Sequence, residues 1–144
     1  IILRTNFFGK SHNKKDSFSD WVYKKFKSGN NFHLFDDVFF SPIRIVFLCK
    51  MIYKIILTGR QYSGIYNLGS QKGLSKKNFA IIFAKSLNIY NSNYTTVKSS
   101  KIFKIKRPNN MIMNCKKFEK KFQISLPTLK NQILDEVKIN YNFK

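Results

Sequence analysis

The stretch Gly64-Ile65-Tyr66-Asn67-Leu68-Gly69-Ser70-Gln71-Lys72-Gly73-Leu74-Ser75 decides the fold class. Four residues bounded by glycines, Ile65 to Leu68, read as a short strand. Ser75 then offers N-cap chemistry, because its hydroxyl can accept from an amide of the first helical turn. Beyond it Phe79, Ile82, Phe83 and Leu87 fall on one face of a helix. Strand, turn and helix in that order is the unit from which α/β folds are built. Gly69 to Gly73 superficially resembles a phosphate-cradling turn, but it matches neither GxGxxG nor GxxxxGK[ST] and reads as a tight turn leading into the helix.

The same alternation continues in both directions. Upstream, Ile1 to Thr5 reads as a buried strand and Asn6 to Lys15 as a loop. Asp16-Ser17 caps a helix with Phe18, Trp21, Val22 and Phe26 at helical spacing, ended by Ser28-Gly29-Asn30-Asn31. Phe32 to Phe35 is a short strand. Pro42 suits the first turn of a helix from Ile43 to about Leu57, which Thr58-Gly59 terminates. Downstream, Tyr94 to Ile105 is β-prone and Met111 to Asn114 forms a short strand. Asn114 caps a helix through Phe122, and Leu126-Pro127-Thr128 starts a last helix carrying Leu129, Ile133 and Val137. The expected class is α/β, without internal repeats.

The 144 residues are 43% hydrophobic and 16% aromatic, enough for a packed core. The net charge of +20 invites a nucleic-acid reading. Arginine, the residue of base readout, supplies only four of the 27 basic side chains, however, and the lysines are spread evenly. That argues against a nucleic-acid partner and leaves a general attraction to anions. Cys49 and Cys115 form no CxxC, and His12 and His33 are isolated, so no metal site or disulfide framework is expected; a cytoplasmic setting fits. Ile43 to Leu57 is too short to span a bilayer and carries Arg44, Lys50 and Lys54. The chain opens on Ile1 inside an apolar run, which reads as a cut edge of a larger sheet.

Candidate chemistry is sparse. Tyr-x-x-x-Lys, the spacing by which a lysine lowers a phenol's pKa for proton transfer, occurs at Tyr23/Lys27 and Tyr94/Lys98. With 23 lysines and seven tyrosines the spacing arises by chance, and neither pair has the layout of a catalytic one. Asp36-Asp37 reads as a turn after a strand, with ligand positioning as the alternative. Trp21 reads as core. Arg107, in a lysine-rich stretch before Pro108, is either a surface charge or a phosphate clamp.

Taken in order, five segments resemble the C-terminal half of the nucleotide-sugar reductases and epimerases of the extended short-chain dehydrogenase/reductase group, the dTDP-4-dehydrorhamnose reductases above all. They are Leu3-Arg4-Thr5-Asn6-Phe7-Phe8-Gly9; Ser17-Phe18 with its helix; Asp36-Asp37-Val38-Phe39-Phe40-Ser41-Pro42; Gly64 to Gly69 with the helix from Ser75 to Ala84; and Arg107-Pro108 through Leu126-Pro127. The resemblance implies the C-terminal part of an NAD(P)-binding Rossmann-like fold, an incomplete sheet plus a small α/β substrate lobe, spanning residues 1–144. It implies sugar recognition at Phe7, flanked by Asn6 and Phe8, with Thr5 and Asn6 towards the nicotinamide. Phe39 or Phe40 would stack on the base, and Arg107 would contact the diphosphate. Phe7 stands where the rhamnose reductases typically have Trp, and Phe47 where the family usually has an acidic residue.

The same resemblance puts the glycine-rich fingerprint and the catalytic Tyr-Lys pair upstream of Ile1. The expected partners are therefore a nucleotide sugar and a missing N-terminal Rossmann portion, with a homodimer allowed. NAD or NADP would be held by the full-length parent and not by this part alone, which would be inactive. Surface-polysaccharide synthesis is the expected setting. Two alternatives remain: a non-catalytic regulatory or scaffold relative of the same fold, and a basic nucleic-acid-binding module.

Overall fold

The structure is a computed structural model and describes residues 1–12, 15–105 and 108–141. β1 (Ile2–Thr5), β2 (Phe7–Phe8) and α1 (Phe18–Ser28) are followed by β3 (Phe32–Phe35), β4 (Phe39–Phe40), β5 (Ile43–Arg44) and α2 (Ile45–Leu57). Next come β6 (Ile65–Leu68), β7 (Leu74–Ser75), α3 (Lys76–Ser86), β8 (Tyr94–Val97) and α4 (Ser99–Ile102). β9 (Asn110–Met111), α5 (Lys116–Phe122) and α6 (Leu129–Asn140) close the order.

The strands pair mostly in parallel, which requires crossovers rather than hairpins. β1 lies parallel to β6, from Ile2 opposite Ile65 to Thr5 opposite Leu68. β2 pairs with β5 and β3 with β8, again in parallel. β4 is the centre of a small mixed sheet, antiparallel to β7 and parallel to β9. The chain is thus an α/β assembly of short, incomplete sheets.

Two apolar cores hold it together. One gathers Phe26, Phe79, Phe83, Leu129 and Ile133 where α1, α3 and α6 meet. The other packs Ile43, Leu48, Leu68, Phe118 and Leu126 between α2, β6 and α5. The helix starts follow the capping chemistry of the sequence. Ser17 closes a capping box with Asp20, Ser75 accepts from the Asn78 amide, and Thr128 accepts from the Asn131 amide.

Four expectations are corrected. Ile1 and Ile2 are exposed rather than buried, because β1 pairs only with β6 among the described residues and only Leu3 of this segment packs against the second core. The second helix starts at Ile45, since Ile43 and Arg44 are held extended against β2. The β-prone run from Tyr94 ends at Val97; Asp37 accepts from the Ser99 amide and hydroxyl and turns the chain into α4. The strand expected from Met111 to Asn114 is Asn110–Met111, and Asn114 takes the Lys116 amide from outside the cap position.

α6 is locked in by polar contacts. Arg44 Nε donates to Glu136 Oε2 at 2.6 Å in the interior. The other Glu136 oxygen accepts from the Lys10 amide and from Asn140 Nδ2, each at 2.8 Å. Tyr141 Oη donates to Asp20 Oδ1 at 2.6 Å. These bonds tie the segments after β2 and around β5 to the last helix.

Candidate functional site

Side chains from β2, α1, β3, β4, α3 and α4 surround a cleft of about 390 Å³. Phe7, Phe8, Phe18, Phe35, Phe40 and Phe103 give it aromatic walls. Among the described residues Asn6, Lys76 and Ser99 are its polar groups, and Val38, Pro108 and Met111 are the rest of its lining. No carboxylate is among the described lining residues, and no cluster of His, Cys, Asp or Glu among the described residues could hold a metal.

Local structure explains how these groups converge. Asn6 O accepts from the Ile43 amide, so the turn after β1 is held against β5. That leaves Phe7 58% exposed and Phe8 only 4% exposed, with Phe8 edge-on to Phe79 at 5.1 Å. Phe39 and Phe40 point to opposite faces of β4, as pleating requires. Phe40 faces the cleft and the core, whereas Phe39 is 40% exposed and outside the lining.

Asp37 sets the far wall. Its carboxylate accepts from the Ser99 amide at 3.0 Å, from Ser99 Oγ at 2.9 Å and from Asn109 Nδ2 at 3.2 Å. Desolvation would raise its pKa, but the Ser99 amide and hydroxyl, its own backbone amide and the Lys98 charge outweigh it and hold the carboxyl below the usual range. One side chain thereby fixes both α4, which leads to Phe103, and the loop that carries Pro108.

The sequence-predicted residues separate as follows. Asn6, Phe7, Phe8 and Phe40 line one cleft. Thr5 is exposed at the end of β1 and is not part of the lining. Arg107 lies outside the described residues, next in sequence to Pro108. The Tyr23/Lys27 pair does meet, with Lys27 Nζ donating to Tyr23 Oη at 3.3 Å, but on the exposed side of α1. Tyr94 and Lys98 do not: Tyr94 faces Tyr90, and Lys98 pairs with Asp36 at 2.9 Å.

The glycine turn is no phosphate cradle. Its Ser70 and Gln71 amides donate to Ser41 O and Pro127 O. A Cβ at Gly69 would lie 2.5 Å from Ser41 O, and one at Gly73 2.6 Å from Ile112 Cγ1. Both glycines are there for close packing.

Sequence reasoning missed Phe18, Phe35, Lys76, Ser99 and Phe103. Lys76 alone had a legible signal, since it directly follows the capping serine of α3. A second cleft, of about 530 Å³, adjoins the first and shares Phe18, Phe35 and Lys76 with it. Trp21 is part of its wall rather than fully buried core.

Solved structures share this fold. A dTDP-4-dehydrorhamnose reductase from Bacillus anthracis str. Ames, in complex with NADP, superposes with a TM-score of 0.82 at 20% identity, covering 96% of this chain and 48% of that one. A dTDP-4-dehydrorhamnose reductase from Clostridium acetobutylicum gives 0.80 at 16% identity, with 96% and 48% covered. A dTDP-glucose 4,6-dehydratase from Bacillus anthracis str. Ames, in complex with NAD, gives 0.69 at 13% identity, with 94% and 42% covered. The fold is thus one found within part of these Rossmann-like proteins. The chain spans about half the length of these proteins. No curated protein matches it. The model of the RmlD substrate binding domain matches residues 1–141, and the chain belongs to that family.

Proposed function

We propose that residues 1–144 form the nucleotide-sugar recognition portion of an NAD(P)-dependent reductase or epimerase, of the dTDP-4-dehydrorhamnose reductase kind, serving surface-polysaccharide synthesis. The observation that carries this reading is the aromatic cleft joining Asn6–Phe8 to Phe40 and Pro108, in a chain of the RmlD substrate binding domain family. Flat aromatic walls suit sugar and base faces, and a strongly basic chain suits a diphosphate. Phe7 is the exposed aromatic at the mouth and packs against the sugar. Arg107 contacts the diphosphate.

The parent reaction is hydride exchange between nicotinamide and a 4-keto or 4-hydroxy sugar carbon. A dinucleotide-binding portion preceding Ile1 supplies the cofactor site and the catalytic tyrosine and lysine. That portion also covers the apolar surface left exposed by Ile1, Ile2 and Ile65 on the β1–β6 pair. The expected setting of the whole enzyme is cytoplasmic, with a homodimer allowed; among the described residues no helix is long and apolar enough to cross a membrane.

A thermal-shift screen of the whole protein against dTDP-, UDP- and GDP-linked sugars tests the reading. Binding at about a hundredfold excess over Kd raises stability by roughly 2.7 kcal/mol, so a genuine ligand gives a clear shift. Arg107→Ala should shrink the best shift. A flat response to every nucleotide sugar would end the proposal.

A further inference from the structure

Among the described residues lining the cleft, Lys76 is the only cation. It opens α3, and its amide donates to Val38 O at 2.9 Å, so its backbone is fixed against the strand that bears Phe40. Its Nζ lies 5.1 Å from the centroid of the Phe18 ring and 6.0 Å from that of Phe40. Two aromatic faces thus hold the ammonium at the cleft wall. The same side chain also lines the neighbouring 530 Å³ cleft, whose walls include Trp21 and Phe32. A ligand that reaches from one cleft into the other passes this charge.

A sugar and a base are neutral, and the bridge between them is not. Aromatic surroundings lower the local dielectric, so a charge–charge contact here is stronger than one in open solvent. We propose that Lys76 binds the diphosphate of the substrate, with the sugar held towards Phe7 and the base reaching towards the Trp21 side. This rests on the reading of the cleft as a nucleotide-sugar site, and it adds a specificity-determining residue to that site. Sugars lacking a phosphate would be rejected.

The test is calorimetric titration of the whole protein with dTDP at low and high sodium chloride, for the natural chain, Lys76→Met and Lys76→Arg. Methionine keeps an unbranched apolar stem over Phe18 while removing the charge. The natural protein should bind more weakly as salt rises. Lys76→Met should lose about tenfold in affinity at low salt, the scale of one charged hydrogen bond, and should show a flatter salt dependence. Lys76→Arg should recover most of the loss, which a merely structural role for the stem would not predict. Identical binding and salt dependence for Lys76→Met, or no recovery with Lys76→Arg, would overturn the assignment while leaving the cleft reading intact. If the natural protein binds neither dTDP nor any sugar nucleotide, the cleft reading itself falls, and this assignment with it.

Discussion

The last helix and the second helix treat their side chains in opposite ways. α6 takes a carboxylate into the interior: Glu136 is fully buried, where Arg44, Asn140 and the Lys10 amide satisfy it. α2 leaves apolar groups in solvent, with Tyr53 62% and Ile56 68% exposed. Val46, Cys49, Tyr53, Ile56 and Leu57 fall on one face of α2, while Leu48, Met51 and Ile55 pack into the core on the other. Residue type alone would have put Glu136 outside and Ile56 inside. What decides is whether a matching partner stands opposite within the fold.

The largest expected effect would break the α6 side of that contrast. Glu136→Leu strands the buried Arg44 guanidinium and should cost about 3–5 kcal/mol in urea unfolding. Adding Arg44→Leu should then recover a large part of the loss, because two apolar groups can replace a buried ion pair. A single variant as stable as the natural protein would show that the pair contributes nothing.

A smaller effect, about 1–3 kcal/mol, is expected from Tyr141→Phe, which removes the buried bond to Asp20. The Asp20 bonds also predict a pH dependence. Burial would raise this carboxyl, but the Tyr141 and Ser17 hydroxyls and the Ser11 and Ser17 amides together hold it below the ordinary 3.8. The folded state therefore favours the charged form. Its stabilisation is complete above the ordinary value and is lost as pH falls through the lower folded-state value. Asp20→Asn should flatten the stability profile in that acid window and leave its neutral-pH slope unchanged.

The smallest effect sharpens the α2 side. Ile56→Lys should alter melting of residues 1–144 by no more than about 0.5 kcal/mol, as for an ordinary surface position. The same change should weaken association with a separately expressed N-terminal portion if that portion covers this face. Loss of several kcal/mol in the isolated chain would show that Ile56 is core after all.

How much was legible in the sequence follows from range. Ser17, Ser75 and Thr128 announce their helices through bonds to amides three residues away, and those starts were readable. The helix at Ser99 was not, because its stabilising carboxylate comes from Asp37, 62 residues earlier. Within the cleft, Asn6, Phe7, Phe8 and Phe40 were named through a resemblance of ordered segments. Phe18, Phe35 and Phe103 were invisible, since each looks like any core phenylalanine until its neighbours are known. Lys76 was one of 23 lysines, marked out only by its place directly after the capping Ser75.

The sequence by itself determined the alternation of strands and helices, the capped helix starts and the family likeness, because these depend on short-range periodicity and on side chains bonding their own backbone. Only the tertiary structure decided which phenylalanines became a cleft, which lysine entered it and which carboxylate was buried. Those outcomes depend on groups far apart in the chain meeting at hydrogen-bond and van der Waals distance, where the energy of each depends on what stands opposite.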